Sequence, residues 1–495
     1  MTSSKATPGP SRGVVAKSTP KPGSTAAAVF DLDRTLLAGG SGPVIQRHLR
    51  DRGLGPDRDI PFAGSIFKAF ELLGESRLSM QFAKLAVRAS KGWDVALVAE
   101  AAEDIADELA RELQPYARIV IEEHVAKGDL VVIASTTPEH FVRPLALRLG
   151  IEHSVASHWR VEDGEYTGEL DGPFVWGREK LTAVKAWAQS FGVSLKRSSA
   201  YSDSYYDSPL LNTVGHPHAI NPDARLAVLA TLKGWPIRHL DKPDGVVKLG
   251  AWEVQELLRP FARTELVPNA RFEIVGIENI PRNGGALLCA NHRSYFDATV
   301  VSLIAAKAGR PARFLGKKEV FDAPIVGQLA RALGGIRVDR GTGSDQPLEE
   351  AAKALRAGEL VCMMPEGTIP RGPAFFEPKL RGRWGAARLA AMSGAPIIAV
   401  GLWGTERVWP RSSRFPKLDI GNPPTITIAI GEPFVVDGID TDADTERIMA
   451  SISNLLPPEA SQRRIPTEEE LRRTYPPRYR GDPSNETQRR PGRDR

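Results

Sequence analysis

His292 and Asp297 stand five residues apart in Asn-His-Arg-Ser-Tyr-Phe-Asp, residues 291–297. A pair of this kind can move a proton. The carboxylate holds one ring nitrogen of the imidazole, and the other nitrogen takes a proton from a hydroxyl. On one helix, five steps of ~100° would set the two side chains about 140° apart. The pair therefore works only with His292 in a turn and Asp297 in the first turn of the next helix, reaching back. The same spacing also suits a histidine that merely satisfies a turn. The elements on either side are readable. Residues 286–290 form an apolar run that reads as a short buried strand, and residues 298–306 read as a buried helix.

A second set lies near the start of the chain. In Asp31-Leu-Asp33-Arg-Thr35 two carboxylates are separated by one residue, where the strand-like run beginning at Ala26 ends. Such carboxylates suit a magnesium site and a covalent phosphoryl transfer, with Asp31 attacking phosphorus and Asp33 protonating the leaving oxygen and then activating water. A helix-capping acid cluster is the plainer reading of the motif alone. Three further pieces follow in order. Ser135 ends a buried strand, where a hydroxyl and backbone N–H groups can hold phosphate oxygens. Lys180 can neutralise the nucleophile and the phosphate. Asp203 and Asp207, after the strand-like residues 198–202, supply more carboxylates for a metal.

In this order the motifs resemble the haloacid dehalogenase superfamily, in its phosphoserine-phosphatase-like branch, over roughly residues 26–239. The resemblance implies a Rossmann-like core with a helical cap inserted after the first motif. It makes Asp31 the nucleophile, Asp33 the acid and base, Ser135 and Lys180 phosphate contacts, and Asp203 a magnesium ligand, with Asp207 binding or orienting the metal site. The metal set is then Asp31, Asp33, Asp203 and Asp207. The cap would choose the substrate.

Downstream of His292 come Gly335-Ile-Arg-Val-Asp339-Arg340, then Pro365-Glu366-Gly367-Thr368, then the apolar run at Pro396. Arg340 offers a planar fork for a phosphate. Gly367 permits close backbone approach, and Glu366 can bind a substrate hydroxyl. Each also has a structural reading, as a surface pair or a turn cap. Their order resembles the glycerophosphate acyltransferases, nearest to the 1-acylglycerol-3-phosphate acyltransferases, over about residues 266–440. The resemblance implies that His292, helped by Asp297, deprotonates the substrate's free hydroxyl for attack on the thioester of an acyl-CoA or acyl carrier protein. Arg340, Glu366, Gly367 and Thr368 would bind the glycerol phosphate. The chain departs from the family at Ile369-Pro-Arg371, where a basic residue often follows directly, and in lacking transmembrane segments.

The 495 residues exceed one core and predict several domains. The expected class is α/β: a Rossmann-like phosphatase domain with an inserted helical cap, then a second α/β acyltransferase domain. The expected bounds are a disordered arm at 1–24, the phosphatase domain at 25–240 with its cap at about 43–125, and a connector at 241–265. The acyltransferase domain follows at 266–456 and a disordered basic tail at 457–495. A net charge of +5 is modest and gives no argument for nucleic acid. The two cysteines, Cys289 and Cys362, lie in apolar runs, which suggests buried thiols in a reducing compartment. No apolar run reaches the ~18 residues of a membrane span. The expectation is a cytoplasmic enzyme, peripheral at the inner face of the cell membrane, whose partners are a lysophospholipid, an acyl thioester and the lipid surface. Residues 375–384, with Phe375, Phe376, Lys379, Arg381, Arg383 and Trp384, mix aromatics and cations as a lipid contact would, and they read equally well as a solvated basic face with two core aromatics. No protein partner is identifiable. A second reading makes phosphatase action on a small phosphomonoester such as phosphoserine the main activity. A non-enzymatic scaffold using the basic tail ranks last.

Overall fold

The computed structural model describes residues 26–54, 77–243, 246–249, 252–322, 326–338 and 346–480. The expected arm at 1–24, Arg340, and residues 481–495 lie outside the described residues. The chain divides into two compact units, Met1–Lys242 and Pro243–Arg495.

The first unit is built on strands β1 (Ala27–Phe30), β2 (Leu130–Pro138), β3 (His153–Ser157), β6 (Ser199–Ser202), β7 (His216–Ile220) and β8 (Ile237–Arg238), with a separate hairpin of β4 (Trp159–Glu162) and β5 (Glu165–Leu170). The sheet order is β3-β2-β1-β6-β7-β8, and every pairing is parallel. Strands covered on both faces need no polar alternation, which is why β1 reads Ala-Ala-Val-Phe and is buried throughout. This is the Rossmann-like half. The inserted helices Gly42–Asp51, Arg77–Ala89 and Val95–Leu109 follow the first strand. The helical block expected at about 43–125 is not wholly a cap, however. Its last helix, Ala117–Lys127, packs on β1 and β2. Helical periodicity marks an apolar face without saying what that face meets. The β4–β5 hairpin was also not expected. Its turn is Asp163-Gly164, with φ of 49° and 86°, the residue pair that favours a tight two-residue hairpin.

The second unit holds a small antiparallel pair, β9 (Lys248–Leu249) with β10 (Trp252–Glu253), and a seven-stranded sheet. The sheet strands are β11 (Arg271–Val275), β12 (Ala286–Ala290), β13 (Ala312–Lys317), β14 (Ile336–Val338), β15 (Leu360–Met363), β16 (Ile397–Trp403) and β17 (Thr425–Ile430). Their order is β11-β17-β16-β12-β15-β13-β14, parallel except for β16 against β17. Alternation along β12 serves both faces. Leu288 and Ala290 pack with Val300 and Ile304 of helix Asp297–Lys307. Leu287 and Cys289 face Leu355, Leu389 and Ile448 on the other side. Both cysteines are buried free thiols, and burial pushes that of Cys362 up to about 12.

Two expected boundaries change. Residues 241–265, read as a connector, are tied into the second unit. Arg313 on β13, fully buried, donates from Nη1 to Glu253 Oε2 at 2.7 Å and from Nη2 to Glu253 Oε1 at 3.0 Å, and from Nε to Glu359 Oε2 at 3.2 Å. Gln255 bonds both backbone groups of Ala312, at 2.9 and 3.0 Å. Glu253 and Gln255 look solvated in sequence because their partners lie far along the chain. Residues 457–480, read as part of a disordered tail, carry the helices Pro458–Ser461 and Glu468–Arg473. Thr474 is buried and accepts a bond from the Gly372 N–H at 2.8 Å. A low average of apolar residues hid the few that make contact.

Removing one partner of a buried ion pair leaves the other charged and unsolvated. Glu253→Ala is expected to destabilise the second unit by about 3 kcal/mol or more. Urea unfolding of the intact chain, followed by tryptophan fluorescence, checks this.

Candidate active sites

In the first unit the chemistry gathers at the C-terminal ends of β1, β2 and β6, where parallel strands run out of ladder partners. Asp31 follows β1, and its N–H bonds Tyr201 O at 2.9 Å. Lys180, on helix Arg178–Ser190, is fully buried. Its Nζ donates to Asp31 Oδ1 and to Asp207 Oδ2, each at 2.7 Å. Ser202 Oγ also donates to Asp207 Oδ2, at 2.7 Å. An ammonium between two carboxylates cancels a repulsion that burial would otherwise amplify.

Asp33 turns elsewhere. Its Oδ1 accepts the N–H of Ser41 at 2.5 Å and its Oδ2 accepts Thr137 Oγ1 at 3.3 Å. Burial raises the carboxyl of Asp33 above the usual carboxylate range, and the Ser41 and Thr137 bonds and the charge of Lys180 only partly offset this. Ser135, also buried, accepts the N–H of Thr137 at 3.1 Å. Asp203 is held by Thr35 and by Arg34, whose Nε lies 3.3 Å from Asp203 Oδ2. Arg34 has φ of 59°, a left-handed conformation uncommon outside glycine. Arg34, Thr35, Ser41 and Thr137 were not singled out from the sequence. Arg34 and Thr35 stand inside the motif, but nothing local links Ser41 or Thr137 to Asp33.

Among the described residues no group of three or more His, Cys, Asp or Glu side chains is spaced to hold a metal; Lys180 stands between Asp31 and Asp207, and Asp33 is turned to Ser41 and Thr137. The chemistry of the four acids Asp31, Asp33, Asp203 and Asp207 still fits magnesium, which takes hard oxygen donors. Asp207 Oδ1 is buried with no hydrogen-bond partner among the described residues.

In the second unit the turn after β12 carries the pair. His292 Nδ1 donates to Asp297 Oδ2 at 2.8 Å. The same oxygen accepts the N–H groups of Arg293 at 2.6 Å and Ser294 at 2.8 Å. Asp297 begins the helix Asp297–Lys307 and is fully buried, whereas the His292 side chain is 22% exposed. With Nδ1 committed to the carboxylate, Nε2 is the nitrogen open to a proton. Asn291, buried, ties the turn to β16 by accepting from Leu402 N at 2.7 Å and donating to Leu402 O at 2.9 Å. The Arg293 guanidinium lies between the rings of Phe375 and Trp403, 4.2 and 4.3 Å from their centroids, and donates to Glu406. Asn291 and Arg293 were visible beside His292, but their partners were not.

Glu366 behaves differently from the expected substrate contact. Its Oε2 accepts the N–H of His292 at 2.6 Å, so it closes the turn, while still lining the cleft with His292, Phe375 and Lys379. Gly367 has φ of 69°, which explains a glycine there better than close approach does. Thr368 follows in the same loop and is half-buried. The guanidinium of Arg371, the nearest basic residue after Thr368, stacks 5.4 Å from the ring of Tyr479. Phe375 is buried and Phe376 half-buried, the latter under Arg464. Phe375 thus packs inward, as the core reading of this stretch has it, and Phe376 keeps part of its ring exposed.

Residues 28–212 match the family described as haloacid dehalogenase-like hydrolase, and residues 271–403 match the family described as acyltransferase. Phosphoserine phosphatase SerB1 of Mycobacterium tuberculosis is 36% identical over 231 residues, 46% of this chain and 74% of that protein. The chain belongs to the haloacid dehalogenase-like hydrolases. This hydrolase also matches a histidinol-phosphatase of Neisseria meningitidis, 30% identical over 218 residues, 42% of this chain and 96% of that one. Among solved structures it matches the 1-acyl-sn-glycerophosphate acyltransferase PlsC of Thermotoga maritima. That match has a TM-score of 0.32 and 24% identity, covering 41% of this chain and 77% of that one. The two family matches give the chain a haloacid dehalogenase-like hydrolase domain, of the phosphatase type, in its first half and an acyltransferase domain in its second.

The raised carboxyl of Asp33 has a consequence for stability. The folded state binds that proton more tightly than the unfolded chain does. Its contribution is fully present below the ordinary carboxylate pKa of about 4 and is lost as pH rises through the folded value. Asp33→Asn removes this cost. Urea midpoints at pH 7.5 are expected to be higher for the variant, with the gap closing as pH falls toward about 4.

Proposed function

We propose that the second unit transfers an acyl chain from acyl-CoA or acyl carrier protein to 1-acylglycerol-3-phosphate, giving phosphatidate, and that the first unit is a magnesium-dependent phosphomonoesterase. The observation that carries the acylation reading is the 2.8 Å bond from His292 Nδ1 to the buried Asp297, with the ring part-exposed at a cleft. His292 Nε2 takes the proton of the substrate hydroxyl. The resulting alkoxide attacks the thioester carbonyl, and the thiolate leaves and recovers the proton. Asp297 holds the tautomer and steadies the imidazolium. Arg340, with Gly367 and Thr368, is assigned to the glycerol phosphate on the order of the motifs.

In the phosphatase unit Asp31 attacks phosphorus, and Lys180 keeps that carboxylate placed and neutralised. The buried carboxyl of Asp33, held protonated more readily than usual, gives its proton to the leaving oxygen and later takes one from water. On the order of the motifs Asp31, Asp33, Asp203 and Asp207 would be the ligands of magnesium, which would supply charge neutralisation for the phosphate. Ser135 and Lys180 contact its oxygens. A small phosphomonoester as substrate is supported by the names of the matched relatives, a phosphoserine phosphatase and a histidinol-phosphatase.

His292→Ala is expected to lower acyl transfer to lysophosphatidate by roughly 10² to 10⁴ in kcat, and an unchanged rate would remove His292 as the base. Asp31→Asn is expected to abolish release of phosphate from a panel of phosphomonoesters with magnesium while leaving acyl transfer intact. A wild-type protein inert toward the whole panel would overturn the phosphatase assignment.

A further inference from the structure

Residues 407–420 link the helix Thr405–Val408 toward β17, and three large apolar side chains in this loop stand in solvent. Phe415 is 75% exposed, Leu418 79% and Ile420 65%. Exposed apolar side chains this close together mark a contact surface. The loop is not loose. Lys417 N bonds Val408 O at 2.8 Å, and Asn269 Nδ2 bonds Lys417 O at 2.8 Å. Trp409 Nε1 bonds Ser413 O at 3.2 Å, and Asn422 N bonds Asp419 Oδ1 at 3.0 Å. A backbone pinned in this way holds its apolar tips outward instead of letting them fold onto the unit.

The charges around the tips are mostly positive. Over residues 407–420 Arg407, Arg411, Arg414 and Lys417 face a single acid, Asp419, and Arg414 and Lys417, on either side of Phe415, are exposed. The loop is also continuous with the acylation site. Ser294 Oγ, two residues from His292, donates to Trp409 O at 2.6 Å, and Tyr295, itself exposed, lies with its ring 5.8 Å from that of Trp409.

We propose that this loop docks on an anionic lipid surface, Phe415, Leu418 and Ile420 entering the interface while Arg414 and Lys417 meet the headgroups. Apolar tips between cations match the layering of such a surface. The proposal deepens and rests on the acylation reading. A lysophospholipid held at its headgroup beside His292 then leaves the bilayer only in part, and its chain stays in lipid. The lipid contact then falls on this loop and not on Phe375, which is buried.

The test uses the full chain with phosphatidylcholine vesicles, with and without phosphatidylglycerol, in co-sedimentation. Phe415→Asp with Leu418→Asp is expected to lower the bound fraction by roughly tenfold or more, at an unchanged thermal midpoint. Arg414→Ala with Lys417→Ala is expected to weaken binding on the order of tenfold, on anionic vesicles alone. Unchanged vesicle binding in both variants overturns the proposal. So does a loop variant that loses only self-association by sedimentation velocity, because the surface then belongs to a second copy of the chain. His292→Ala is expected to sediment with vesicles like wild type. A wild type without acyl transfer, but with vesicle binding that depends on the loop, leaves the docking surface standing and removes the acylation reading.

Discussion

A parallel sheet runs out of ladder partners at the C-terminal ends of its strands, and the chain beyond must find partners for its amide groups. In both units buried ionised side chains meet that need. Asp297 Oδ2 takes three donors, the ring of His292 and the N–H groups of Arg293 and Ser294. Glu366 takes the N–H of His292 itself. The turn that presents the imidazole is thus closed by two carboxylates from different parts of the chain. A shift of the ring or of the backbone takes a donor from a buried carboxyl group, a cost of about 1–3 kcal/mol. Rigidity at His292 and the burial of Asp297 are one fact seen from two sides.

The phosphatase unit solves the same problem with the opposite balance of charge. Asp31 and Asp207 are both buried, and the Lys180 ammonium lies between them, donating to each. Asp33, separated from Asp31 by one residue, turns toward Ser41 and Thr137, and these bonds and the charge of Lys180 offset its burial only in part. Two carboxylates in one motif therefore feel different environments, one steadied as an anion and the other biased toward its acid. That division follows from where the turn after β1 points each side chain. The left-handed Arg34 sits at the bend that separates them.

Much of this was legible in one dimension because period and order survive in the chain. The buried runs of β1, β2, β12 and β15 are short and apolar, and the acids or turn residues that follow each are readable as strand-end chemistry. The α/β alternation and the two families were legible for that reason. What escaped was anything whose meaning depends on a distant partner. Glu253 and Gln255 looked like a solvated connector until β13 came alongside. Thr474 lay in a stretch of low apolar content, and its partner at Gly372 is a hundred residues away. Nothing local shows Glu366 reaching the N–H of His292 as well as the cleft.

Residue types, their order and their spacing were enough to establish two α/β units, a phosphatase-type acid set and a histidine–aspartate pair, since these depend on local periodicity and on short motifs. The structure alone could decide which face each side chain turns to. It put Phe375 inward under Arg293 and left Phe415 and Leu418 in solvent, although all three are equally apolar in sequence. Burial is settled by what arrives from elsewhere in the fold, and a linear chain carries no direct record of that encounter.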